Sequence, residues 1–228
     1  MGNDLPANTL IQFIEGDFEA TWDSTAQNRN IGSRGNFMFA MQTMILLEVA
    51  CRLCRSDRSG TALNDFSVEL ASRDRRYFAT LPATCYSASP EFQLPSLGSN
   101  PDRQLIGVLF DLIRNGQAHQ YQQVRVQLTD GVDFQISLTG AGYGAILSQC
   151  LISGRPVDHL RKDRDTNQDL WLKVRSDVLY LDIRDSIRAA NLLTRGLTIS
   201  YLTRPRILGR GYQFTGAQLE AALSAGGI

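Results

Sequence analysis

The sequence predicts an α+β fold in which a helical first half precedes a strand-containing second half. Three observations support this fold class. Hydrophobic residues make up 43% of the 228 residues and charged residues 20%, as in folded globular proteins. Apolar residues recur at helical spacing up to about residue 121, and from about residue 122 the period changes to two. We therefore predict a single domain over residues 1–228, with a helical part over about 9–121 and a strand-containing part over about 122–228.

Four helices are predicted in the first half. The first carries an apolar stripe at Leu10, Phe13, Ile14 and Phe18, whereas the second is apolar on nearly every side. The predicted bounds are about 9–25, from a cap at Ser33 or Asn36 to about Arg55, about 63–81 before Pro82, and from after Pro101 to about Ile113. Residues 82–101 contain four prolines, so a long irregular connection is expected there.

The second half predicts antiparallel strands and further helices. Residues 124–128 and 132–138 alternate between apolar and polar side chains on either side of Asp130-Gly131, which predicts a β-hairpin. Further strands are predicted over 170–174, 178–183 and 197–202, with helices over 184–193 and 218–224. We expect an antiparallel sheet with C-terminal helices beside it.

The composition and charge of the chain argue against some classes of binding partner. The 23 basic and 23 acidic side chains cancel, so no global field attracts nucleic acid or an anionic membrane. The N-terminal residues lack a basic start and an apolar core, which argues against a secretory signal. The apolar stretch over 37–54 includes Gln42, Glu48 and Arg52, which oppose membrane insertion. We expect no membrane partner and a cytoplasmic protein.

The cysteines predict neither a disulfide framework nor a metal site. Cys51 and Cys54 form a C-x-x-C pair inside the apolar second helix, without a second pair at zinc-like spacing. Cys150 and His159 lack further ligands to complete a tetrahedral site. The expected state of Cys51 and Cys54 is reduced and buried.

The most informative segment lies at the end of the fourth predicted helix. Arg114 is followed by Asn115 and, five positions after the arginine, by His119. An arginine, a polar residue and a histidine at this spacing, after three earlier helices, resemble the signature of the HEPN domain superfamily. The resemblance covers residues 9–121 and implies a HEPN-like helical bundle. It does not extend to the hairpin and the residues beyond it.

The residues of this 114–119 motif suit RNA cleavage without a metal ion. His119 can take and give a proton near neutral pH, because an imidazole ordinarily titrates near pH ~6.5. Arg114 is a permanent cation that can stabilise charge on a phosphoryl oxygen, and Asn115 can orient a substrate or the imidazole. The resemblance implies a metal-independent ribonuclease of a stress, toxin or defence system, a homodimer that joins two motifs in one cleft, and a protein antitoxin as a further partner.

Two other interpretations of the motif remain open. A non-catalytic HEPN-like protein would bind nucleotide or RNA, or assemble with a partner. A purely structural interpretation is that Arg114 and His119 interact with the helix C-terminus, with Gly116 as the left-handed stop. Glu48 is a candidate supporting acid if it faces the motif, and the alternative is an ion pair with Arg52 one helical turn later.

A glycine-rich turn and three arginine clusters complete the candidates. Residues 140–145 satisfy G-x-G-x-x-A, but they follow a hairpin strand rather than a βαβ unit, so we predict no cofactor. Two clusters are interleaved with acids, as solvated helix faces usually are. The third, flanked by aromatic residues, predicts a nucleic-acid-binding or partner surface. The clusters are Arg73, Arg75 and Arg76; Arg161, Lys162 and Arg164; and Arg204, Arg206 and Arg210.

Overall fold

A computed structural model describes residues 4–27, 34–79, 104–110, 113, 125–127, 133–139, 159–167 and 169–200. Residues Leu5–Ile199 form one compact unit, and residues 1–4 and 200–228 group separately. The described part contains five α-helices, one 3-10 helix and six strands. The α+β class is therefore observed, whereas a single domain over 1–228 stays a prediction.

The helices of the first half lie close to their predicted positions. They are α1 (Ala7–Gln27), α2 (Arg34–Ser56), α3 (Thr61–Arg73), the 3-10 helix (Arg75–Phe78) and α4 (Leu105–Phe110). The third helix was predicted to continue to about residue 81, but it ends at Arg73, because the backbone of the next residue, Asp74, is extended (φ −153°, ψ 108°). The predicted connection 82–101 and the predicted helix 218–224 lie outside the described residues.

The turn before α3 is held by one carboxylate. Gly60 occupies the N-cap position of α3 with a left-handed φ of +73°. As a glycine it has no side chain that could cap the helix. Asp57 takes over this role, because its oxygens accept hydrogen bonds from the Ala62 amide (2.8 Å) and the Ser59 amide (3.0 Å). These hydrogen bonds lower the pKa of Asp57 below its usual value.

The prediction of a strand over 178–183 is wrong, because these residues lie inside α5 (Ser176–Ala189), the last helix of the described residues. All six of their side chains are buried. A short apolar run buried on every side has the same pattern in a helix as in a strand, and only the following residues revealed the helical period. Asp177 lies in the first turn of α5 and pairs with the Arg175 guanidinium at 2.7 Å, which favours a helix start there.

Four strands form a mixed sheet in the order β2-β3-β5-β4. The strands are β2 (Arg125–Gln127), β3 (Asp133–Thr139), β4 (Leu160–Arg164) and β5 (Leu170–Arg175). β2 and β3 pair antiparallel, which agrees with the predicted hairpin. The expectation of a wholly antiparallel sheet is wrong at its centre, since β3 and β5 run parallel. Strand direction depends on the chain path between the strands, which the alternation of side chains does not encode.

The sequence did not predict the edge strand β4, whereas it did predict a strand over 197–202. Residues 160–164 are mostly charged, so their sequence indicated a solvated run instead of a strand. In the fold they pair antiparallel with β5, with Leu160 opposite Val174 and Arg164 opposite Leu170. The predicted 197–202 strand corresponds to β6 (Thr198–Ser200), which pairs with β1 (Asp4–Pro6) in a separate two-stranded sheet.

One hydrophobic core joins the helices to one face of the four-stranded sheet. α2 lies at its centre, because apolar side chains are buried around most of its circumference. α1 contributes Phe18, whose ring stacks on Tyr180 of α5 with centroids 3.5 Å apart. The sheet contributes Ile136, Leu160 and Val174. No helix among the described residues combines the length and hydrophobicity needed to cross a membrane.

Candidate functional site

The described residues lead directly to the 114–119 motif but stop before it. Arg114, Asn115 and His119 lie outside the described residues, as do Arg204, Arg206 and Arg210. Immediately before the motif, Ile113 is 1% exposed and belongs to the hydrophobic core. In α4, Ile106 and Leu109 are also fully buried. The chain that enters the motif is therefore anchored in the core shared by α1, α2 and α3.

Glu48 forms an ion pair with Arg52, one turn later on α2. The two side chains are 20% and 46% exposed, so solvent screens the pair. This is the partner expected from helical spacing. The alternative, in which Glu48 faces the 114–119 motif, stays a prediction, since the motif lies outside the described residues.

The C-x-x-C cysteines are free and buried, as predicted. Burial raises the pKa of the Cys51 thiol well above its ordinary value and raises the pKa of Cys54 to about 12. The Cys54 thiol donates to the Ala62 carbonyl oxygen at 3.6 Å. Because the thiolate is the nucleophile and the metal ligand, both cysteines are inert packing residues at neutral pH.

A buried polar cluster of Tyr77, His159 and Asp182 joins three distant segments. Tyr77 lies in the 3-10 helix, His159 immediately before β4, and Asp182 in α5. The Tyr77 hydroxyl donates to Asp182 Oδ2 at 2.6 Å and lies 2.5 Å from His159 Nε2. His159 Nε2 is 4.0 Å from Asp182 Oδ2, so the hydroxyl stands between the imidazole and the carboxylate.

The hydrogen-bond directions within this cluster depend on which nitrogen of the His159 ring carries the proton. A tyrosine hydroxyl has a single hydrogen, which Tyr77 gives to the Asp182 carboxylate. The hydroxyl oxygen then accepts from His159 in the ring tautomer that carries its proton on Nε2. Tyr77 and His159 are fully buried and Asp182 is 6% exposed. With no solvent exposure at its two rings, the cluster serves to hold the three segments together rather than to contact a substrate.

The sequence offered little indication of this cluster. Tyr77 and His159 are separated by 82 positions, and Tyr77 and Asp182 by 105. In the sequence, His159 was considered only as a possible metal ligand. Asp182 lies in residues 178–183, which were predicted to form a strand. A lone acid within an apolar run needs a buried partner, and this was the one available signal.

A second polar cluster attaches the edge strand to the 3-10 helix. Asp74 caps that helix by accepting from the Arg76 amide at 3.0 Å, and its carboxylate also binds the Arg76 guanidinium through two nitrogens at 2.7–3.2 Å. Arg76 donates a further hydrogen bond to the Leu160 carbonyl oxygen of β4, at 3.0 Å. The hydrogen bond to Asp74 raises the pKa of Arg76 above its ordinary value.

Metal ligands do not cluster in the part of the chain that the structure describes. No group of three or more His, Cys, Asp or Glu side chains there could hold a metal ion. His159 follows Cys150 by nine positions in the sequence, and in the structure its ring forms a hydrogen bond with the Tyr77 hydroxyl. Among the described residues, the two polar clusters therefore connect segments of the fold.

Comparisons with known proteins found no similar protein. No family model matches the chain, no curated protein matches it, and no solved structure resembles it.

Proposed function

We propose that this chain is a HEPN-like, metal-independent ribonuclease whose site is the 114–119 motif. The observation that supports the proposal is the burial of the residues that precede the motif in the sequence. Ile113, the residue before Arg114, is 1% exposed, and α4 before it packs into the same core as α1 to α3. A rigid support of this kind suits side chains that must hold a scissile phosphate in a fixed geometry.

The three side chains of the motif would divide the reaction between them. His119 would remove the proton from a ribose 2′-hydroxyl, whose oxygen then forms a bond to the adjacent phosphorus. The bond from phosphorus to the 5′-oxygen of the next nucleotide breaks, and that oxygen takes a proton from the His119 imidazolium, which returns to its neutral form. Arg114 would stabilise the negative charge that develops on the phosphoryl oxygens, and Asn115 would orient the substrate. The products are a 2′,3′-cyclic phosphate and a 5′-hydroxyl.

We leave Glu48 out of the proposed catalytic set. Its carboxylate pairs with Arg52 on the same helix, which is the partner expected from helical spacing. The proposal includes a homodimer, because the chain carries one copy of the motif and a cleft built from two copies would supply two histidines and two arginines. In a toxin or defence setting, a protein antitoxin would cover that cleft.

The test is cleavage of a labelled single-stranded RNA by the purified protein in the presence of a chelator. We expect cleavage by the wild type that leaves cyclic-phosphate ends, and a loss of at least about a hundredfold in rate in His119→Ala, the usual contribution of a general acid–base group. His159→Gln is a poor control because His159 is buried in the fold, so Gln120→Ala, next to His119, serves as the matched control.

The same experiment separates catalysis from binding. If neither wild type nor His119→Ala cleaves RNA while both are folded, the ribonuclease proposal is wrong. RNA or nucleotide binding without cleavage would then support a non-catalytic HEPN-like protein. Equal cleavage by wild type and His119→Ala would indicate a contaminating nuclease and also contradict the proposal.

A further inference from the structure

We draw no further inference here: the strongest candidate, the solvent-facing side of α1 on which Phe13 is 61% exposed and lies one helical turn from the exposed Gly16 and Asp17, carries no inference because nothing in the described part of the chain shows what covers it.

Discussion

Two carboxylates of the protein, Asp182 and Glu48, have positively charged or proton-donating partners in very different surroundings. Asp182 is 6% exposed and accepts a hydrogen bond from Tyr77, which in turn contacts a fully buried histidine. Glu48 is 20% exposed and pairs with Arg52, which is 46% exposed and lies on the same helix. The first cluster connects three segments of the chain, whereas the second joins two residues a single turn apart.

This difference determines what each cluster contributes to the fold. In the buried cluster water cannot replace a lost partner, so removing one group leaves others with a desolvation cost. In the exposed pair water solvates both charges after they separate, and side-chain entropy opposes their association. A close ion pair is therefore weak evidence of importance, while a buried hydroxyl shared by two partners is strong evidence.

The largest effect is expected for Tyr77→Phe. This change removes the hydroxyl that binds both Asp182 and His159 and leaves the ring in place. We expect the free energy of unfolding to fall by about 2–3 kcal/mol, as for a buried hydrogen bond to a charged group. Urea unfolding followed by circular dichroism measures it.

Tyr180→Phe is the matched control for this change. Tyr180 is 2% exposed and stacks on Phe18, and its hydroxyl makes no hydrogen bond to any described residue. We expect Tyr180→Phe to lower the free energy of unfolding by less than about 0.5 kcal/mol. Similar losses in the two variants would show that the Tyr77 hydroxyl contributes no more than ordinary packing, and the comparison of buried with exposed clusters would fail.

The sequence predicted elements where one local signal dominated. α1 and α2 were located from the period of their apolar residues, and the hairpin β2–β3 from two alternating runs around Asp130-Gly131. The errors lie where local patterns are ambiguous. Residues 178–183 are buried on every side within α5, and β4 carries charges at an edge, so neither showed the period of its element.

An intermediate effect is expected for Asp74→Ala, because its cluster is part buried and part exposed. The change removes the cap of the 3-10 helix and the carboxylate that holds Arg76, whose side chain is 49% exposed. We expect a loss of about 1–2 kcal/mol in the free energy of unfolding, most of it from the cap because solvent screens the ion pair.

Asp74→Asn separates the two contributions. An asparagine oxygen can still accept from the Arg76 amide but carries no charge, so we expect about half the loss or less. If Asp74→Asn destabilises the protein as much as Asp74→Ala does, the ion pair with Arg76 outweighs the cap. Chemical unfolding of both variants under one set of conditions decides between them.

The candidate sites show the same division between local and non-local information. The 114–119 motif is a short sequence pattern, so it could be proposed from the sequence, and it stays a prediction because its residues lie outside the described part. Tyr77, His159 and Asp182 meet only after three segments pack together. The burial of Asp74 likewise follows from tertiary contacts, although its sequence neighbours suggested a solvated face.

The smallest effect is expected for Glu48→Gln. This variant keeps the shape of the side chain and removes the charge that pairs with Arg52. Exposed pairs at this helical spacing contribute about 0.3–0.5 kcal/mol, so the free energy of unfolding should change by no more than that. RNA cleavage, where the wild type shows it, should also stay within about twofold, because a catalytic acid would contribute about a hundredfold or more. Arg52→Gln removes the same pair from its other side and should give the same small loss of stability. A large loss of cleavage in Glu48→Gln alone, with stability unchanged, would show that Glu48 serves the 114–119 motif, and this pair would then no longer exemplify an exposed pair of little consequence.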